Sequence, residues 1–120
     1  MSKASFIDKL SIPVIAAPMF LISGPQLVIE CCKNGIVGTF PALNQRTSEG
    51  FEAWIIEIKA ALLEHEKNTG NKPAPFGVNL IVHKSNPRLE ADLTICVKHK
   101  IPLIITSLGA VSELVKTVHN

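Results

Sequence analysis

The sequence predicts an α/β fold assembled from parallel β/α units, and three observations carry that expectation. Short, largely apolar runs recur four times along the chain, the first of them, Ile12 to Ala17, wholly so. They lack the polar alternation of a sheet with one wet face, which suits strands covered on both sides. Each run is followed by a segment with helical spacing or with helix-capping residues, and strands alternating with helices imply a parallel sheet with right-handed crossovers. The order read is βαβαβαβα.

Ile12 to Ala17 is the first run, partly β-branched and closed by Pro18. Ser23-Gly24-Pro25 then opens a helix, with Ser23 or Gly24 able to cap and Pro25 at an early position where its missing N–H is harmless. That helix runs from Gln26 to Lys33 and stops at Asn34-Gly35, a left-handed C-cap pair. Ile36 to Phe40 is the second strand, followed by a polar loop from Pro41 to Thr47. Thr47 or Ser48 caps an amphipathic helix whose apolar stripe, Phe51, Trp54, Ile55, Ile58 and Leu62, continues to about Lys67. Asn68 to Pro75 is a turn-rich loop, and Phe76 to Val82 is the third strand. Asn86-Pro87 repeats the cap-then-proline signature ahead of a helix from Arg88 to His99. Pro102 to Ser107 is the fourth strand, and Ala110 to His119 the last helix.

At 120 residues, 47% hydrophobic, 18% charged and with mean hydropathy +0.29, the chain has ample material for one packed core. A net charge of +2 is too small for the field that phosphate-backbone binding needs, so nucleic acid is not an expected partner. Three cysteines, two of them the adjacent Cys31 and Cys32, cannot form a paired disulfide framework and suit a reducing compartment. Met1 to Leu10 has no apolar signal-peptide core, and no run reaches the roughly 20 residues of a membrane span. The expectation is a soluble cytoplasmic protein. Four units average about 30 residues, and eight would need the roughly 250 residues of a (β/α)₈ barrel. The arithmetic points to the amino-terminal half of such a barrel, one partial domain over residues 1–120 that stops after the fourth unit.

In parallel α/β folds chemistry sits at the carboxyl ends of the strands. Those positions read Ala17-Pro18-Met19, Phe40-Pro41-Ala42, Asn79 with His83, and Thr106-Ser107-Leu108-Gly109. An amide inside the apolar run around Asn79 must find partners, either neighbouring backbone or the polar edge of a ligand. Met19 fills core or offers a soft thioether to a flat aromatic ligand. Thr106 to Gly109 is either a capping turn or a place of close ligand approach. His65 and His99, late in helices, read as solvated surface. His83 could face a site but has no positioned acid, base or nucleophile beside it. Cys31 and Cys32 diverge on a helix and Cys96 reads as a small buried side chain, so no metal is assigned. Phosphate-binding loops of the G-x-x-x-x-G-K-[ST] type, the G-x-G-x-x-G fingerprint after the first strand and the G-x-S-x-G elbow do not occur.

Four segments, Ile12-Pro-Val-Ile-Ala-Ala-Pro-Met19, Gly35-Ile-Val-Gly-Thr-Phe40, Phe76-Gly-Val-Asn-Leu80 and Ile104-Ile-Thr-Ser-Leu-Gly109, together resemble the nitronate monooxygenases, formerly called 2-nitropropane dioxygenases. The resemblance extends over essentially the whole chain. It implies an FMN-dependent (β/α)₈ barrel that oxidises alkyl nitronates with O₂ to a carbonyl compound and nitrite. It also implies Ala17, Pro18 and Met19 beside the flavin ring, Asn79 hydrogen-bonding near it, and Ser107 and Gly109 as further contacts. The family's catalytic histidine and its glycine-rich phosphate loops are expected beyond residue 120, and none of the four histidines here takes that role. The fragment alone is then expected to be inactive. Two alternatives stand beside this reading: a related flavin-dependent enoyl reductase, and a non-catalytic α/β half-barrel. A half-barrel leaves strand edges unpaired, which invites self-association through them.

Overall fold

The computed structural model describes residues 6, 8, 10–109 and 112–119. A parallel sheet of three strands, β1 (Gly38–Pro41), β2 (Phe76–Ile81) and β3 (Leu103–Ser107), lies in the order β1-β2-β3. Helices α1 (Pro25–Lys33), α2 (Ser48–Thr69), α3 (Leu89–Lys98) and α4 (Ser112–His119) accompany it, with a 3₁₀ turn at Ala42–Asn44 after β1. The register sets Gly38 against Phe76 and Pro41 against Asn79, then Asn79 against Ile105 and Ile81 against Ser107. Sequential strands are neighbours, as β/α units require.

The first apolar run departs from expectation. Between Ile12 and Ala17 the only pairing is a single parallel bridge, Ile15 with Val37, supported by bonds from Ala16 N–H to the Val37 carbonyl and from Val37 N–H to the Val14 carbonyl, 2.8 and 3.1 Å. Thr39 Oγ1 also donates to the Ala16 carbonyl. Ile12, Val14 and Ile15 are 43–47% exposed, so the run is not covered on both faces. The physical reason is local: Pro13 removes one ladder donor, and among the described residues no strand pairs with the other edge of this run. The other strands fall within two residues of their expected bounds. The second starts at Gly38 rather than Ile36 because Val37 is engaged in the bridge.

Helix limits follow their caps. Gly24, not Ser23, stands at the start of α1 and makes no side-chain cap, while Ser23 is turned inward. Asn34 has φ −98°, and the left-handed residue is Gly35 at +84°. Thr47 caps α2 by accepting from Gly50 N–H at 3.0 Å, and Gly70 at φ +73° ends it. Asn86 closes the turn into α3: its Oδ1 accepts from Arg88 N–H at 3.1 Å and its Nδ2 donates to the Ile81 carbonyl at 2.9 Å. Ala110 and Val111, the expected start of the last helix, lie outside the described residues.

The core lies between the sheet and helices α1 to α3. Val28 and Cys32 of α1, Phe51, Ile55 and Ile58 of α2, Phe40, Val78 and Leu80 of the strands and Cys96 of α3 are all at most 1% exposed. Phe40 sits at its centre, tilted against Phe51 and edge-on to Trp54 with centroids 5.8 and 5.7 Å apart. Helix α1 can lie this close to β1 only because residue 38 is glycine: a Cβ there would stand 2.7 Å from the Val28 carbonyl oxygen. Two polar ties complete the packing. Glu52 of α2 accepts from Lys98 Nζ and pairs with His99 Nε2, each at 2.7 Å. His99, expected as solvated surface, is therefore a half-buried partner that α3 extends toward α2.

Two outcomes follow from these contacts. Gly38→Ala should destabilise the fold by about 1–3 kcal/mol, the usual range for overpacking, and lower the urea midpoint. Glu52 is held below its usual value of 4.5, first by the Lys98 hydrogen bond and then by that of His99. A depressed carboxylate contributes stability above its unfolded value and loses it as pH falls through the lower folded value. The stability difference between wild type and Glu52→Gln should therefore be full at pH 6 and shrink below about pH 4.5, as read by urea titration at each pH.

Candidate functional site

The carboxyl ends of the strands gather the side chains with chemical capacity. Asn79, in the central strand β2, is half-buried. Its Oδ1 accepts from Ser107 Oγ of β3 at 3.2 Å, so the structure joins two of the expected site residues directly. With the amide oxygen facing Ser107, Asn79 Nδ2 is the side chain's donor group. Ser107 is thus engaged with Asn79. After it come Leu108 at φ +63° and Gly109 at +153°, where a Cβ would lie 3.1 Å from the Val82 carbonyl. The strand's exit therefore demands glycine at 109.

At the end of the first run, Ala17, Pro18 and Met19 lead into a tight loop, Met19 to Ser23. Met19 is 41% exposed and so does not fill core. Ser23 is 2% exposed, and its Oγ accepts from Met19 N–H at 2.8 Å. The Met19 carbonyl accepts in return from the N–H groups of Ile22 and Ser23, at 3.2 and 3.0 Å. A residue absent from the sequence expectation finishes the loop. Asn44, at the end of the 3₁₀ turn, accepts from Leu21 N–H at 2.9 Å and donates through Nδ2 to the carbonyls of Met19 and Ser23, at 3.0 and 2.8 Å. An asparagine in a polar loop reads as an ordinary turn residue; only its side chain's reach across 21 to 25 positions reveals the role. Leu21 has φ +63°, a conformation that costs a non-glycine residue about 1–2 kcal/mol.

The turn bearing Asn44 is itself anchored. Arg88 donates to the carbonyls of Ala42 and Gln45 on either side of Asn44 and pairs with Asp92 at 3.1 Å. Asp92 is 1% exposed and also accepts from Ser48 Oγ at 2.8 Å.

Other candidates have simpler roles. The exposed His83 lies 2.7 Å from Ser85 Oγ within a local turn, and among the described residues no carboxylate pairs with it. Beside it lies a shallow cavity of about 430 Å³ lined by Val82, Asn86 and Leu89 among others. A larger one, about 650 Å³, lies at the opposite end, against Pro75 and Pro102 ahead of β2 and β3. Its position at the amino ends of the strands is where such folds keep stability rather than chemistry. Cys32 and Cys96 are buried, and burial pushes their thiols up to about 11 and about 12. Among the described residues no three His, Cys, Asp or Glu side chains converge as a metal site, and no helix is long and apolar enough to cross a membrane.

No known family model matches the chain, and no curated protein matches its sequence. Its fold does match solved structures. FabK from Thermotoga maritima superposes with TM-score 0.72 at 18% identity over 96% of this chain, and a methionine-to-alanine mutant of FabK with TM-score 0.75 at 16% over 97%. The chain spans about a third of those proteins, 34% and 35% of their lengths. The architecture is that of a partial (β/α)₈ barrel, as the alternation of strands and helices implied.

The cysteine environments give a direct check. At pH 8 a thiol reagent should label Cys31 in the native chain and all three cysteines only after unfolding, counted by absorbance of the released chromophore.

Proposed function

We propose that the chain forms the flavin-facing amino-terminal part of a (β/α)₈ oxidoreductase that takes FMN and oxidises alkyl nitronates with O₂. The observation that carries the reading is the Asn79–Ser107 pair on adjacent parallel strands, at the end of the sheet where such barrels do their chemistry. The four sequence segments resembling nitronate monooxygenases and the fold likeness to FabK support it.

The residues present fit part of a flavin. Asn79 Nδ2 is a donor for a carbonyl or ring nitrogen at the polar edge of the isoalloxazine. Met19, with Ala17 and Pro18 behind it, offers a soft apolar surface to the ring. Gly109 keeps the rim of the strand's exit free of a side chain. Bound FMN would supply the two-electron chemistry, and this chain's residues would bind and orient it. Ser107 holds the Asn79 amide in the donating orientation, and Met19 keeps water from one side of the ring.

The likeness to FabK favours a second reading within the same barrel, a flavin-dependent enoyl reductase. Both place the flavin on the same residues, and the product separates them: nitrite from a nitronate, or a saturated thioester from an enoyl thioester.

Titration of the chain with FMN, followed by flavin fluorescence, tests the shared part. Saturable quenching is expected, with Asn79→Leu weakening the affinity roughly tenfold through loss of one or two hydrogen bonds. A chain that is folded by circular dichroism and leaves the fluorescence unchanged would remove the flavin from the account.

A further inference from the structure

Phe20, Leu21 and Ile22 are 68%, 78% and 69% exposed, three consecutive large apolar side chains held out at the carboxyl face. Single exposed apolar residues are ordinary; a contiguous set on a rigid loop marks a surface made to be covered. The loop has the marks of rigidity. Of its five amide groups, those of Met19, Leu21, Ile22 and Ser23 donate to Ser23 Oγ, Asn44 Oδ1 and the Met19 carbonyl. Asn44 alone supplies three bonds that no other residue replaces. One of them falls on the N–H of Leu21, the residue with a left-handed backbone. Strain of that kind persists where the surroundings over-determine it, and it concentrates at ligand clamps. Asn44 in turn is fixed by Arg88, which grips the carbonyls flanking it.

We propose that Asn44 is a positioning residue that locks the Met19–Ser23 loop into a preformed apolar platform for a flat ring ligand, an assignment that rests on the flavin reading above. Asn44 touches no ligand itself. It holds Leu21 in the left-handed region so that Met19 and the three residues after it stand ready before binding, and the ordering is not charged to the complex.

Two measurements on the full chain test this. In Asn44→Ala, amide hydrogen exchange at Leu21 and Ile22 should accelerate at least about tenfold while core amides of β2 are unchanged, since the loop lies outside the core. Unchanged exchange at Leu21 would overturn the clamp whatever the chain binds. The second measurement is a double-mutant cycle on FMN affinity with Asn44→Ala and Leu21→Gly. Glycine adopts positive φ without strain, so Asn44→Ala should raise the Kd about tenfold in the wild-type background and clearly less in the Leu21→Gly background. Equal factors in the two backgrounds, or none in either, would overturn the platform role. If the wild-type chain binds no FMN, the flavin reading and the platform for it fall together, and exchange at Leu21 still decides whether Asn44 holds the loop.

Discussion

The buried pair of Arg88 and Asp92 is the constraint on which the carboxyl face depends. Asp92 is almost wholly out of solvent, with the guanidinium on one side and the Ser48 hydroxyl on the other. Such a pair adds little net stability against a well-packed apolar substitute, yet losing one partner strands a charge and costs about 3–5 kcal/mol. Its value here is geometric. Asp92 Oδ2 lies 3.1 Å from Arg88 Nη2, and Oδ1 takes the Ser48 hydroxyl. The same guanidinium also donates to the Ala42 and Gln45 carbonyls. One side chain thus ties the start of α3 to the turn after β1, while Asp92 reaches the start of α2.

From there the order passes to the mouth by short steps. The fixed turn presents Asn44, and Asn44 fixes the loop that carries Met19. On the other side of the face, the parallel register brings Ser107 beside Asn79. Both arrangements use a polar side chain to hold another group rather than to meet solvent, as a preorganised site requires. The larger concavity at the amino ends of the strands has no comparable construction, which is why its volume does not decide where function lies.

Much of the fold was legible because local signals agreed with the tertiary outcome. Thr47 marks the start of α2 by backbone chemistry that works within a few residues, whereas Asn86 bonds into the turn ahead of α3 and the cap position there is Arg88, without a side-chain cap. The apolar stripe of α2 needed only periodicity. The first run misled because its residues look like those of a covered strand, and covering is a property of neighbours rather than of the run. His99 misled for the same reason: its partner Glu52 lies 47 positions away, on another helix. Of the candidate site, Asn79 and Ser107 could be found as polar residues in apolar strands, since burial forces such groups to pair. Asn44, Ser23 and Arg88 could not, because asparagine, serine and arginine near turns have too many ordinary uses there.

The closed hydrogen bonding of the Met19–Ser23 loop has a thermodynamic consequence. Four of its five amide N–H groups are already engaged, one of them by Asn44, so the loop has few main-chain donors to offer anything that settles on it. For a ligand settling on the proposed platform, desolvation of the exposed Phe20, Leu21 and Ile22 would be the main term. Its signature is a negative heat-capacity change on association and near indifference to ionic strength, and discrimination between ligands would follow their contour rather than their charge.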